Sequence, residues 1–137
     1  MASRDSSSPG GFSTLGLSDA LVAAASALGY EEPTPVQRAA IPILLEGHDL
    51  LAQAATGTGK TAAFALPMIQ RLAASHDPKE RKRAPGPLGV VLVPTRELAM
   101  QVSEAIHKYA GSTRLTVVPL YGGASMSMQI RAIERGA

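Results

Sequence analysis

The sequence predicts an α/β domain in which helices cover both faces of a parallel sheet. Helical and strand-like segments alternate along its 137 residues, and one strand-like segment continues directly into a Gly/Thr loop and a helix. Such alternation implies parallel strands joined by right-handed crossovers. The hydrophobic content of 45% supplies a core for one folded domain of this length.

Helix boundaries are predicted from capping residues. Ser18 is a good N-cap and Gly29 a good stop for a first helix over residues 18–28. The run Thr34-Pro35-Val36-Gln37 combines a capping box with proline at the first helical position, and Gly47 is expected to end this second helix. Further helices are predicted over residues 59–74, 95–109 and 124–135.

Three short runs rich in apolar and β-branched residues are predicted to be strands. The stretch 75–87, which is rich in proline and contains the charged run Lys79-Glu80-Arg81-Lys82-Arg83, is predicted to be a mobile surface loop. Residues 1–11 are rich in Ser, Gly and Pro and are predicted to be a flexible tail, which leaves residues 12–137 as the folded domain. The predicted strands are residues 49–53, 89–93 and 115–121.

Composition excludes several kinds of site. There is no cysteine, so disulfides and thiolate metal sites are excluded. No run of about 18 apolar residues occurs, so no membrane partner is predicted, and a cytoplasmic location is expected by default. The net charge of +2 permits contact with a polyanion but does not by itself argue for one.

A phosphate-binding P-loop is predicted between the first strand and the third helix. Residues 54–61 read Ala-Ala-Thr-Gly-Thr-Gly-Lys-Thr, with Ala54 where the common pattern has glycine. Gly57 and Gly59 let backbone N–H groups approach a triphosphate, and the helix that follows adds its own unpaired N–H groups. The alternative is a Gly/Thr turn without a ligand. The predicted nucleotide contacts are Ala55, Thr56, Gly57, Thr58, Gly59, Lys60, which reaches the β- and γ-phosphates, and Thr61, which ligands Mg²⁺; Lys60 and Thr61 are also the catalytic candidates.

Upstream of this loop lie an aromatic residue, Phe12, and the run Gly29-Tyr30-Glu31-Glu32-Pro33-Thr34-Pro35-Val36-Gln37. These residues resemble the Q motif of the DEAD-box family of ATP-dependent RNA helicases. The resemblance implies that Gln37 pairs with the adenine edge of ATP and that Phe12 and Tyr30 lie near the base. A primary amide can donate to one adenine nitrogen and accept from the amine. The alternative is that Gln37 only completes the capping box of Thr34.

Two further segments resemble RNA-binding elements of the same family. Pro94-Thr95-Arg96-Glu97-Leu98-Ala99 looks like motif Ia, and Gly122-Gly123 looks like the paired-glycine element. A helix N-terminus beyond a strand offers N–H groups to phosphate, and an arginine can form a forked pair with it. The alternatives are a Thr95 N-cap with an Arg96 ion pair, and a simple glycine turn. The resemblance implies RNA-backbone contacts for Pro94, Thr95, Arg96, Gly122 and Gly123.

The resemblance also implies a P-loop NTPase of the RecA-like class that uses ATP and Mg²⁺ to remodel RNA. The family's pattern continues with Thr-Pro-Gly-Arg, Asp-Glu-Ala-Asp and Ser-Ala-Thr elements and a second domain, and none of these elements occurs in the 137 residues. We therefore expect these residues alone to bind ATP or ADP and to hydrolyse ATP negligibly, with the remainder of the helicase as their partner. Two alternatives remain open, namely another P-loop ATPase or DNA helicase of the same superfamily, and a non-catalytic nucleotide-binding or interaction fragment.

Overall fold

The computed structural model describes residues 11–75 and 86–137. Short 3₁₀ helices in these residues span Phe12–Leu15 and Ala110–Ser112. The predicted tail, residues 1–11, and the predicted loop, residues 75–87, lie almost entirely outside the described residues. The α-helices are α1 Asp19–Ala27, α2 Pro35–Leu45, α3 Lys60–Ala74, α4 Arg96–Tyr109 and α5 Met126–Glu134.

Side-chain caps fix the starts of four of these helices. Ser18, Thr34, Thr95 and Ser125 each accept a hydrogen bond from the backbone N–H three residues further on. Thr34 also forms the complete capping box with Gln37. The five predicted helices are therefore confirmed, with small differences at their ends.

The core forms where α3 packs against α2 and α4. Ala65 and Leu66 of α3 are completely buried, as is Ile41 of α2. Val102 and Ile106 of α4 belong to the same apolar cluster. The helix that follows the predicted P-loop is thus anchored between two others, and its first turn has a fixed position.

The three predicted strands are not formed in the described residues. Residues 49–53, 89–93 and 115–121 lie outside the helices, and none of them is assigned as strand. A strand exists only through a ladder of hydrogen bonds to a neighbour. In residues 11–75 and 86–137, no backbone hydrogen bond joins these segments to one another. The parallel sheet predicted from apolar runs is therefore not confirmed.

Apolar side chains of these segments face solvent. Leu51 is 99% exposed, Leu92 is 91% exposed and Val90 is 70% exposed. Residues 86–96 and 115–122 also line a groove of about 470 Å³. No helix among the described residues is both long and apolar enough to cross a lipid bilayer.

Candidate nucleotide and nucleic-acid site

The N-terminus of α3 lacks a side-chain cap, unlike the other four α-helices of the described residues. Its N-cap residue is Gly59, with φ +81° and ψ 30° in the left-handed region. The first N–H groups of α3 therefore have neither an intrahelical acceptor nor a capping side chain. Gly57, with φ +83°, adjoins open space on its Cβ side. An uncapped helix start beside open space suits an anion.

Two side chains of the loop donate to the loop's own carbonyl groups. Lys60 Nζ lies 2.6 Å from the Ala54 oxygen. The Thr58 hydroxyl lies 2.6 Å from the Ala55 oxygen. Lys60 is exposed and makes no ion pair with a described residue, so its ammonium can exchange the carbonyl for a phosphate oxygen.

The predicted Mg²⁺ contact rests on Thr61, the second residue of α3, which is half-buried. Residues 11–75 and 86–137 contain no group of three or more His, Cys, Asp or Glu side chains placed to hold a metal ion. A hydroxyl at this position of a P-loop suits a Mg²⁺ ion that the nucleotide brings with it.

Gln37 joins the capping box at Thr34 to the predicted P-loop at Gly59. Its side chain is fully buried. The Thr34 backbone N–H donates to Oε1 at 3.0 Å, and Nε2 donates to the Gly59 carbonyl at 3.1 Å. A Cβ added to Gly59 would overlap the Gln37 amide. The capping role of Gln37 is therefore confirmed, and its adenine role stays a prediction.

Aromatic rings connect the Q-motif residues to α4. The Phe12 and Tyr30 centroids are 6.5 Å apart in an edge-to-face arrangement, and those of Tyr30 and Tyr109 are 6.2 Å apart. The Tyr109 hydroxyl donates to the Tyr30 hydroxyl at 3.1 Å. Burial, together with this hydrogen bond, raises the pKa of Tyr109 above its ordinary value.

The predicted adenine residues lie on elements that touch one another. The 3₁₀ helix Phe12–Leu15 packs against α2, which carries Gln37. Phe12 is only 3% exposed, so its ring contacts the core more than it faces open space. Tyr30 is half-buried.

The two predicted RNA-binding elements also come together. A Cβ added to Gly123 would lie 3.4 Å from Arg96 Nη1, so the guanidinium lies against the glycine turn. Thr95 caps α4 by accepting the Leu98 N–H at 3.2 Å, which confirms the cap but not the ion pair of the alternative. Arg96 is exposed and forms no ion pair in the part of the chain that the structure describes. Gly122 and Gly123 form a turn, as the simpler alternative predicted, with Gly123 at φ +90°.

Two further glutamines hold backbone segments with both atoms of the amide. The Ser18 N–H donates to Gln70 Oε1 at 2.7 Å, and Gln70 Nε2 donates to the Gly16 carbonyl at 3.0 Å. The Tyr121 N–H donates to Gln129 Oε1 at 3.0 Å, and Gln129 Nε2 donates to the Tyr121 carbonyl at 3.1 Å. The sequence does not predict these hydrogen bonds for either glutamine. A helical glutamine looks like a surface residue until the fold brings its partners near.

The comparisons with known proteins agree with these motifs. A family model described as DEAD/DEAH box helicase matches residues 34–137, which include the capping box, the P-loop, Arg96 and the glycine turn. The chain belongs to the DEAD/DEAH box helicase family. The RNA helicase CrhR of Synechocystis is 47% identical over 125 residues. The DEAD-box ATP-dependent RNA helicase CshA of Bacillus cereus is 42% identical over 124 residues.

This DEAD-box chain spans less than a quarter of the length of those relatives. The alignment covers 91% of the chain and 24% of CrhR, and 90% of the chain and 22% of CshA. A crystal structure of the RNA helicase Prp28 from Chaetomium thermophilum bound to ADP matches with a TM-score of 0.78 and 41% identity. That match covers 89% of this chain and 29% of the Prp28 chain. The likeness agrees with the predicted RecA-like class.

Proposed function

We propose that this chain is the ATP-binding portion of a DEAD-box RNA helicase that couples ATP binding and hydrolysis to remodelling of RNA duplexes or RNA–protein complexes. The uncapped start of α3 at Gly59 carries the proposal. A triphosphate requires several donors at one point, and free helix N–H groups beside the Lys60 ammonium provide them. The name of CshA and the ADP bound to Prp28 support a nucleotide ligand.

Each residue of the loop has a distinct proposed role. The backbone N–H groups of residues 55–59 surround the phosphates, and Lys60 transfers its hydrogen bond from Ala54 to a phosphate oxygen. Thr61 is the proposed Mg²⁺ ligand, and the ion, when bound, neutralises charge on the β- and γ-phosphates. Lys60 and Thr61, which are adjacent at the start of α3, are thus the proposed side-chain contacts of the phosphates, Thr61 through the ion.

Adenine recognition is proposed for Gln37, with Phe12 and Tyr30 nearby. An amide has two N–H groups and two lone pairs on its oxygen, and the described bonds use one of each. One donor and one acceptor therefore remain for the adenine edge. Because the side chain is fully buried, a base reaches them only after a neighbouring group moves.

RNA contact is proposed where α4 begins and the glycine turn ends. Arg96 and Gly123 lie together there, and Pro94, Thr95 and Gly122 flank them. The N–H groups at the start of α4 and the Arg96 guanidinium both suit phosphate. Contacts of this kind position a strand without reading bases, so we expect little sequence preference.

The parallel sheet and the catalytic reaction are proposed for the whole helicase. We propose that residues 49–53, 89–93 and 115–121 become strands of a RecA-like sheet when further parts of the protein pair with them. The 137 residues contain no Asp-x-x-Asp or Asp-Glu pair after the P-loop that could hold Mg²⁺ and orient water. We therefore expect these residues alone to bind nucleotide and not to hydrolyse it measurably. The domain limits, residues 12–137, and a cytoplasmic location stay predictions.

A non-catalytic interaction fragment is the second candidate. The exposed Leu51, Leu92 and Val90 favour it, because apolar side chains open to solvent mark contact surfaces. A P-loop ATPase or DNA helicase of the same superfamily would share the phosphate site, but it would not need Gln37 to select adenine.

Calorimetric titration of ATP, GTP and ADP into the chain and its variants tests the proposal. We expect the unaltered chain to prefer ATP to GTP and Gln37→Ala to lose that preference. Lys60→Ala should weaken ATP and ADP binding by about tenfold or more, the value of one charge-assisted hydrogen bond. Lys108→Ala is the matched control, because Lys108 pairs with Glu104 on α4.

Two outcomes would contradict parts of the proposal separately. Equal affinity of the unaltered chain for ATP and GTP would refute adenine recognition by Gln37. Equal ATP affinity in Lys60→Ala and Lys108→Ala would refute the phosphate role of the loop. Circular dichroism of each variant should confirm that the helices remain folded.

A further inference from the structure

Gln129 acts on the backbone of Tyr121 as a neighbouring strand would. Its amide accepts from the Tyr121 N–H at 3.0 Å and donates to the Tyr121 carbonyl at 3.1 Å. One side chain therefore satisfies both backbone groups of a residue that has no ladder partner in the described residues. The amide is the only common uncharged side-chain group that can donate and accept in this paired way.

The two hydrogen bonds between the Gln129 side chain and the Tyr121 backbone, here called the clamp, lie at one end of the Gly122-Gly123 turn. Tyr121 precedes the turn directly, and Ser125 on its other side caps α5 by accepting the Met128 N–H at 3.4 Å. The short segment between Tyr121 and Ser125 is therefore held at both ends. The Arg96 guanidinium lies against Gly123 within this segment.

Packing does not explain why α5 sits where it does. No residue of α5 is buried, and Met126 and Met128 are 71% and 67% exposed. Gln129 is half-buried. The described contacts that fix the turn relative to α5 are thus the two hydrogen bonds of the Gln129 side chain and the Ser125 cap, with no buried apolar residue of α5 beside them.

We propose that Gln129 is a positioning residue that orients the Gly122-Gly123 backbone and thereby sets the affinity for the RNA backbone. The inference rests on the proposed RNA-binding function. Glycine N–H groups can donate to phosphate only if the turn presents them in the right direction. Gln129 touches no RNA in this proposal and acts through Tyr121.

The test compares Gln129→Met, a substitution of similar size without the amide, with Met128→Gln, the reverse exchange one residue earlier on α5. Two quantities are measured in the 137-residue chain. NMR measures the rate of hydrogen exchange at the Tyr121 backbone amide, which reports the strength of the clamp in the absence of ligand. Fluorescence anisotropy with a labelled oligouridine, at several salt concentrations, reports RNA affinity.

We expect Gln129→Met to speed exchange of the Tyr121 amide by about tenfold or more and to weaken RNA binding by about tenfold, as expected for one hydrogen bond to a charged group. ATP affinity should stay the same. The slope of RNA affinity against salt should also stay the same, because glycine N–H groups release no counterions. Met128→Gln should match the unaltered chain in every measurement.

The outcomes separate this inference from the function on which it rests. If the unaltered chain binds no oligouridine, the proposed RNA function fails and takes this inference with it. If the unaltered chain binds and Gln129→Met binds equally well, the positioning role alone is wrong. If Gln129→Met loses ATP affinity and thermal stability along with RNA binding, Gln129 is a general structural residue and the inference is overturned.

Discussion

Gln37 and Gly59 depend on each other at the level of single atoms. Gln37 Nε2 donates to the Gly59 carbonyl at 3.1 Å, and this close approach is possible only because residue 59 has no Cβ. The same carbonyl accepts the Ala63 N–H at 3.1 Å and so begins the hydrogen bonding of α3. The Gln37 amide, which is predicted to recognise the base, therefore also supports the backbone of the predicted P-loop at Gly59.

Gly59→Ala should be much more harmful than Gly57→Ala. Both residues have positive φ, which costs a non-glycine residue about 1–2 kcal/mol. At Gly59 the added Cβ also overlaps the Gln37 amide, whereas Gly57 faces open space. We expect Gly59→Ala to lower the free energy of unfolding by roughly 1–3 kcal/mol more than Gly57→Ala, as overpacking does.

Urea unfolding measures this difference, and the Gln37→Ala background provides its control. Removing the Gln37 amide should remove the overlap, so Gly59→Ala and Gly57→Ala should then cost similar amounts. Persistence of the full difference in that background would show that the cost at Gly59 has another cause.

Tyr109 should make stability depend on alkaline pH. Its pKa is raised in the folded protein by burial and by the hydrogen bond to Tyr30, whereas an unfolded tyrosine titrates near pH 10. The contribution of Tyr109 to the free energy of unfolding is thus fully present below about pH 10. It is lost as the pH rises from there through the higher pKa of the folded state. Tyr109→Phe should lower stability at neutral pH by about 1 kcal/mol and flatten this part of the alkaline decline.

Urea unfolding at neutral and alkaline pH checks the Tyr109 prediction. Tyr121→Phe is a suitable control, because the hydrogen bonds of Tyr121 to Gln129 use its backbone. Stability curves that run parallel from neutral to alkaline pH for Tyr109→Phe and the unaltered chain would disprove it.

Arg96→Gln should reduce the salt dependence of RNA binding. If the guanidinium neutralises one phosphate, the slope of log affinity against log salt should become shallower by about 0.7 for single-stranded RNA. Arg131→Gln, an exposed arginine on α5, removes the same charge elsewhere. Equal slopes for the two variants would show that Arg96 makes no special phosphate contact.

Among the secondary-structure elements, helices could be predicted and strands could not. Thr34 with Gln37, and Ser18 with the Leu21 N–H, are caps that depend on residues only three positions apart. Local spacing therefore contains the information. A strand such as the one predicted for residues 89–93 depends on a pairing partner at any distance along the chain, and apolar composition does not identify that partner.

The residues of the candidate site also differ in whether local sequence could predict them. Gly59, Lys60 and Arg96 are predicted from contiguous motifs. The structure places Gly59 at the N-cap of α3, Lys60 at its first residue and Arg96 at the first residue of α4, and their ligands stay predictions. Gln70 and Gln129 could not be predicted, because their hydrogen-bond partners are backbone groups that tertiary structure brings near. A glutamine that reaches a distant loop has the same sequence appearance as one that faces water.

For the molecule as a whole, the unpaired segments should promote association. Leu92 is 91% exposed, and the groove between residues 86–96 and 115–122 is open. Free backbone groups beside apolar side chains invite pairing with another chain. Analytical ultracentrifugation should therefore show association of the isolated chain with increasing concentration, and Leu92→Lys should reduce it.

Ser112→Lys is the control for added charge, because Ser112 is exposed on the short helix Ala110–Ser112. If Leu92→Lys and Ser112→Lys reduce association equally, net charge rather than the apolar segment governs it. A chain that stays monomeric at every concentration would contradict the prediction directly.

The exposed segments that contain Leu51, Val90 and Leu92 also determine how temperature affects their proposed association with further parts of the protein. Transfer of Leu51, Leu92 and Val90 out of water would lower the heat capacity, as burial of apolar surface does in general. Hydrophobic association of this kind weakens on cooling. If further parts of the protein cover these segments, as proposed, this DEAD-box chain should bind them less tightly in the cold than at moderate temperature, and calorimetry should show a negative heat-capacity change of binding.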